Sequence, residues 1–263
     1  MSIVDFFDST GFWGLCKRGV VICWSRLVLN LQNENSILRN KMNENVHVKK
    51  GEYIMTDKMF ENNQVAMTGE IVTGFQFSHE VLGEGFYTAE MAVNRLSNYA
   101  DYIPLMVSER LVDTQQDYTG QLVRVSGQFR SYNRHEEKKN RLVLSVFVRE
   151  WEFADEIGEN EKTNQIFLDG YVCKEPVYRK TPLGREIADL LIAVNRSYGK
   201  SDYIPCICWG RNARFASGFE VGSHIQVLGR IQSREYVKRI SEEETEHRIA
   251  YEVSVSKVDF LED

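Results

Sequence analysis

Cysteine is scarce in this chain and is not arranged for cross-linking. The five cysteines in 263 residues (Cys16, Cys23, Cys173, Cys206 and Cys208) form neither an even framework nor a C-x-x-C pair. That argues against a disulfide-stapled secreted scaffold and for a reducing, cytoplasmic setting. Cys206 and Cys208 lie two apart in an apolar run, so they share one strand face. No further ligands follow at finger-like spacing, and buried thiols are the expected reading rather than a metal site.

Catalytic motifs are missing as well. The five histidines (His47, His79, His135, His224 and His247) are scattered. No G-x-x-x-x-G-K, H-E-x-x-H or G-x-S-x-G pattern occurs. The acidic run at Glu242, Glu243 and Glu244 reads as a solvated loop tip. The expectation is therefore a non-enzyme with no catalytic residues, no cofactor and no metal. A surplus of positive charge is also lacking: 32 Lys and Arg stand against 38 Asp and Glu, a net charge of −6. Binding to a polyanion would have to rest on a local stripe of cations rather than on the whole molecule.

Long hydrophobic runs are absent too. Residues 13–31 are moderately apolar, but Lys17, Arg18 and Arg26 interrupt them, short of the roughly 20 residues a spanning helix needs. No small-residue cleavage site follows, so this is not read as a signal peptide, and no membrane contact is expected. Residues 1–54 carry two readings. One is a disordered leader. The other is an extension upstream of a translation start at Met55 or Met59, with Lys50-Gly51-Glu52 encoded by a purine-rich ribosome-binding sequence.

What is present is a duplication. Ala92-Val93-Asn94-Arg95 and Asp101-Tyr102-Ile103-Pro104 return 101 residues later as Ala193-Val194-Asn195-Arg196 and Asp202-Tyr203-Ile204-Pro205. Asn63-Gln64 and Gly69 match Asn164-Gln165 and Gly170 at the same offset, and Gly127 pairs with Gly229. The period is too long for a solenoid and suits two domains of ordinary size. We expect a first unit at 63–153, a polar linker at 154–163 and a second unit at 164–263.

Each unit reads as five short strands. In the first they are 64–71, 86–95, 101–107, 122–132 and 141–153, with a helical or irregular segment over 109–119. In the second they are 165–173, 186–196, 202–209, 224–236 and 249–260, with a loop at 174–185 and a helix at 213–219. Five strands with a short helix between the third and fourth is the plan of the OB-fold, a partly open Greek-key barrel. The expected fold is thus all-β, two tandem OB-folds, each with that helix.

The second unit interleaves rings and cations. Arg196 and Tyr198 leave its second strand, and Tyr203 and Trp209 bracket the third, six residues apart and hence on one face. Arg211 follows Trp209, the fourth strand brings Arg230, Arg234 and Tyr236, and the loop after the first carries Arg179, Lys180 and Arg185. Such a surface stacks unpaired bases while cations follow the phosphates. Any one of these rings could equally be a half-buried sheet residue, Trp209 could be core, and Arg196 could pair with Asp202.

Residues 164–259 resemble the bacterial single-stranded DNA-binding protein family. The likeness begins at Asn164-Gln165-Ile166-Phe167-Leu168-Asp169-Gly170 and runs through Glu175-Pro176-Val177-Tyr178-Arg179 and Thr181-Pro182-Leu183-Gly184-Arg185. It continues in Ala193-Val194-Asn195-Arg196, Ile207-Cys208-Trp209-Gly210-Arg211 and Val221-Gly222-Ser223-His224-Ile225-Gln226-Val227-Leu228-Gly229-Arg230-Ile231. The resemblance implies sequence-independent binding of single-stranded DNA in replication, recombination and repair. By motif, the family's four stacking positions fall on Tyr198, Tyr203, Trp209 and Tyr236.

The first unit matches more weakly. Ser97 stands for Tyr198, Ser108 for Trp209 and Arg134 for Tyr236, which leaves Arg95, Tyr99, Tyr102, Arg130 and Tyr132 as thinner candidates. A chain with two such barrels resembles the tandem type, which implies a homodimer of four barrels. The family's flexible linker and acidic docking tip are not matched after Asp259, so recruitment of replication and repair proteins is not expected to use one. The rival reading is a primosome-type OB-fold adaptor acting mainly on proteins.

Overall fold

A computed structural model of the chain describes residues 62–262 apart from 98, 137–138, 160, 197–198 and 240–244. The two readings of residues 1–54, and the placement of Tyr198, lie outside the described residues. Among the described residues there are twelve strands and one helix. The first half contributes β1 (Asn63–Ile71), β2 (Gln76–Val81), β3 (Glu84–Asn94), β4 (Ala100–Ser108), β5 (Leu122–Glu136) and β6 (Lys139–Phe153). The second contributes β7 (Asn164–Val172), β8 (Val177–Lys180), β9 (Glu186–Asn195), β10 (Ser201–Trp209), α1 (Arg211–Ala216), β11 (His224–Arg239) and β12 (Thr245–Phe260).

Alternation of apolar residues rolls each half into a barrel. On β4 the side chains of Ile103, Leu105 and Val107 point inward and are fully buried, and on β10 Ile204, Cys206 and Cys208 do the same. Burial in this apolar core pushes the Cys208 thiol up to about 12 and raises that of Cys206 well above the ordinary range, as inert core thiols require. In the first barrel β1 pairs with β3, β3 with β4, β4 with β6 in parallel, β6 with β5, and β5 returns to β1. In the second, β7, β9, β10, β12 and β11 close in the same order, with β10 and β12 parallel. The fold is all-β, a tandem pair of OB-folds.

Two expectations are corrected. The first barrel has no helix between β4 and β5 among its described residues: 109–121 run as successive turns, fastened by Asp113 and Asp117 accepting from backbone N–H groups two residues on. Only the second barrel forms the helix, where Gly210 adopts a positive φ of 55° at the strand-to-helix corner. The second correction is an added strand. Residues read as loop after β1 and β7 form β2 and β8, each a hairpin partner on the outer edge of β3 or β9. Their exposed, weakly alternating sequences gave no strand signal.

The repeated residues mark where the backbone turns a corner. A Cβ at Gly69 would collide with the carbonyl oxygen of Ala92, and one at Gly170 with that of Ala193. At these points β1 and β7 pass from one neighbour to another, and only glycine allows the approach. Gly127 and Gly229 sit at matching bulges against Phe147 and Ser254. Asn63 explains the other repeated position. Its side-chain amide donates to the Phe129 carbonyl at 2.7 Å and accepts from the Phe129 N–H at 2.9 Å. Asn164 does likewise with Ile231, at 2.8 and 2.9 Å. Each amide imitates a peptide group where its strand has swung away, so buried backbone polar groups stay paired.

The barrels join because β1 and β7 pair antiparallel, from Asn63 opposite Leu168 to Met67 opposite Asn164, giving one continuous sheet. The connecting segment is held down by Glu161. Its carboxylate accepts from Arg124 Nε and Nη2, both at 2.9 Å, from the Thr68 hydroxyl at 2.5 Å and from the Gly158 N–H at 3.0 Å. Chiefly through the hydrogen bonds from Arg124, its pKa is lowered to about 2.

Candidate nucleic-acid interface

The outward side of β10 is where the two rings of the sequence argument meet. Tyr203 and Trp209 share one parity, opposite that of the core residues, and are 40% and 39% exposed. Ile207 lies between them and is buried. The same surface continues onto its neighbours. Ile207 faces Asp189 of β9 and Ser254 of β12, and Ser254 faces Arg230 of β11. Along β11 the alternation then presents Arg230, Gln232, Arg234 and Tyr236 on this side.

The cations on this surface are mostly engaged, because buried acids beneath it must be neutralised. Arg179 of β8 donates to Asp189 at 2.9 Å. Arg234 lies 3.5 Å from Glu252, with its guanidinium 5.7 Å from the Tyr236 ring centre. Gln232 donates to the same Glu252 at 2.7 Å. Arg211, the first residue of α1, lies just past Trp209 and makes no ion pair among the described residues. Lys180 has the opposite parity to Arg179 and lies across from Glu186, on the other side of the ribbon from Tyr203 and Trp209.

Arg196 is built into the seam between the barrels. It donates through Nε to Asp202 at 2.5 Å, through Nη2 to the other oxygen of Asp202, and through Nη2 to the Ser131 carbonyl at 2.8 Å. Asp202 in turn accepts the Ser131 N–H at 2.5 Å, and the Ser131 hydroxyl accepts the Tyr203 N–H at 2.8 Å. The opposite seam mirrors this. Arg95 binds Asp101 at 2.7 and 2.5 Å, Asp101 accepts the Ser233 N–H at 2.8 Å, and the Ser233 hydroxyl accepts the Tyr102 N–H at 3.0 Å. The returning Arg and Asp of the sequence duplication are thus the two clasps that lock the barrels together. Arg230 leaves its own barrel to join the Asp101 clasp at 3.0 Å.

In the first barrel Tyr99, Tyr102 and Tyr132 are exposed. Arg130 instead lies flat on Phe147, its guanidinium 3.8 Å from the ring centre, and bonds Gln128 at 2.8 Å. Phe147 also packs on Phe86 at 5.7 Å, and His79 stacks on Phe86 at 5.2 Å. Ser108, where the second barrel has Trp209, donates to Glu84.

The sequence reading missed Arg248, which falls between the strands expected at 224–236 and 249–260. It stands directly across from Tyr236 on β12, bonds Glu246 at 2.8 Å, and has its pKa raised first by that bond. Only the register of the long hairpin identifies it. Also missed were Ser131 and Ser233, whose role exists only across the seam.

The model of the single-strand binding protein family matches residues 163–261, the second barrel. Single-stranded DNA-binding protein B of Bacillus subtilis is 36% identical over 80 residues, 28% of this chain and 71% of its own. This chain belongs to the single-strand binding protein family. Two longer relatives agree, Single-stranded DNA-binding protein 2 of Listeria innocua at 34% identity and protein A of Bacillus subtilis at 33%, each over 106 residues. These matches cover 38% of this chain but only 64% and 59% of the relatives' own lengths. The crystal structure of the wild-type single-stranded DNA binding protein from Thermus aquaticus superposes with a TM-score of 0.59 at 20% identity. It covers 76% of this chain and 93% of that one, so the shared fold extends beyond the family-matched barrel. Among the described residues no three His, Cys, Asp or Glu side chains gather as metal ligands, and no helix is long and apolar enough to cross a membrane.

Proposed function

We propose that this chain binds single-stranded DNA without reading its sequence, and thereby protects exposed strands during replication, recombination and repair. The observation that carries the reading is the outward pair Tyr203 and Trp209 on one strand, continued by Arg234 and Tyr236 across the barrel. Rings in such a row offer every base the same stacking surface, at about 1–3 kcal/mol per base. Arg211, Arg230 and Arg234 supply positive charge, and Tyr198 belongs to the same set by its motif. Arg196 and Arg179 act by holding Asp202 and Asp189 rather than by reaching DNA. The first barrel contributes chiefly the seam.

The reading carries a homodimer of four barrels, located with DNA in the cytoplasm, and needs no cofactor or catalytic group. The adaptor alternative is not favoured by the family match. Titration with oligo-dT tests the proposal: protein fluorescence is quenched, and Trp209→Ala removes much of the quench and weakens binding. Unquenched fluorescence with no shift in mobility on oligo-dT overturns it.

A further inference from the structure

The two seams are alike in design and differ in how many guanidiniums meet at the enclosed acid. At one, Asp202 faces a single guanidinium, that of Arg196. At the other, Asp101 faces two, Arg95 from its own barrel and Arg230 from the next. Asp101 is 1% exposed, so its charge is enclosed, while Arg95 and Arg230 are 30% and 37% exposed and open outward. The next acid, Glu252, is already matched by Arg234 at 3.5 Å. Three guanidiniums therefore share two carboxylates, which leaves one unbalanced positive charge at this seam.

The mirror seam does not bring two guanidiniums to one acid. Gln128 takes the place of Arg230, so Asp202 keeps Arg196 alone, and the cation found there, Arg130 in the place of Gln232, bonds Gln128 and lies over Phe147. Donors are also left over. Arg95 Nη1 and Arg230 Nε make no hydrogen bond among the described residues. The pKa of Arg230 is lowered first by burial and then by the nearness of Arg95, while that of Arg95 is raised, first by its hydrogen bond to Asp101. Tyr102, 47% exposed, adjoins the seam, its N–H bonded to Ser233.

We propose that this seam is a phosphate subsite, in which one backbone phosphate of a single strand bridges Arg95 and Arg230 as the strand passes from the stacking row of the second barrel toward Tyr102 of the first. A planar guanidinium pair suits a bridging phosphate because each presents paired N–H groups to its oxygens. The subsite rests on the proposed reading of this surface as a DNA interface. It goes beyond that reading by assigning the first barrel a direct contact and by fixing which seam the strand crosses.

The test is the salt dependence of oligo-dT binding in Arg95→Gln, Arg230→Gln, their double variant and Arg196→Gln. Each phosphate neutralised on a single strand contributes about 0.7 to the slope of log K against log salt. The two single variants and the double are expected to lose about that same amount, since all three lose one shared phosphate, while Arg196→Gln keeps the wild-type slope. Arg230→Gln leaves the Arg95–Asp101 pair and the Ser233 bonds in place, so if any clasp variant proves unfolded the slope of Arg230→Gln alone decides. An unchanged slope in Arg230→Gln reduces the cluster to a structural clasp and overturns the subsite. In that case the wild-type protein still binds oligo-dT with Trp209-dependent quenching, whereas failure of the DNA reading abolishes both.

Discussion

The two barrels share a backbone and differ in what they show to the outside. In the second, Trp209 and Tyr203 stand out from β10, over polar ground made by Asp189, Gln232 and Glu252. In the first, the position of Trp209 is Ser108, which bends to Glu84, and Phe147 fills the ground that Ser254 leaves open. Phe86, itself stacked on by His79, and the guanidinium of Arg130 then close over Phe147. A barrel demands that alternate residues be apolar and directed inward, and it leaves the outward set free. Duplication can therefore keep two frameworks while one face remains open to flat ligands and the other is packed over by its own rings.

Removing a clasp gives the largest expected effect. Asp202→Ala and Asp101→Ala each strip a buried carboxylate from its guanidinium and from a backbone N–H of the other barrel. Each is expected to lower unfolding free energy by about 3–5 kcal/mol in urea denaturation. A loss of less than about 1 kcal/mol in either would show that the barrels are held by β1–β7 pairing alone.

The comparison of faces comes next in size. Trp209→Ala is expected to weaken oligo-dT binding by about 1–3 kcal/mol in a fluorescence or mobility titration, with little change in stability. Ser108→Ala, at the equivalent position of the first barrel, is expected to leave binding unchanged. Equal losses in the two would erase the distinction drawn here. A smaller effect, under about 1 kcal/mol, is expected for Tyr102→Ala, a lone exposed ring beside the seam.

The smallest effect is a dependence on acid. Glu161 has its pKa lowered from the ordinary 4.5 to about 2, chiefly by its hydrogen bonds from Arg124. A carboxylate lowered on folding stabilises the protein above its unfolded value and loses that contribution as pH falls from 4.5 toward about 2. Melting temperature should fall across this window, and Glu161→Gln should flatten that part of the profile while lowering stability at neutral pH. A profile identical to wild type would remove Glu161 as the anchor of the connecting segment.

Much of this was legible from spacing. The returning Asn, Gly, Arg and Asp residues are the ones whose backbone or buried environment admits no substitute, and alternation on β4 and β10 placed their cores. Tyr203 and Trp209 could be assigned to one face because strand periodicity is strict over six residues. That the first barrel forms turns rather than a helix between β4 and β5 was not legible, since Asp113 and Asp117 accept from nearby backbone N–H groups and so compete locally with helix. Arg248 was hidden because the length of a hairpin tip is set by cross-strand pairing rather than by composition. Cations were the least legible class. Arg179 and Arg196 look like phosphate ligands in a linear reading, yet each holds an acid supplied by another strand.

The order of residues alone determined the duplication, the barrel framework and the side of β10 on which the rings stand, because these follow from local alternation and from glycine and asparagine at corners. Only the tertiary structure decided how the charges are shared. Asp101 and Arg230 lie in different barrels and meet only once β1 has paired with β7, and the balance of charge at a seam depends on distances that no local pattern encodes.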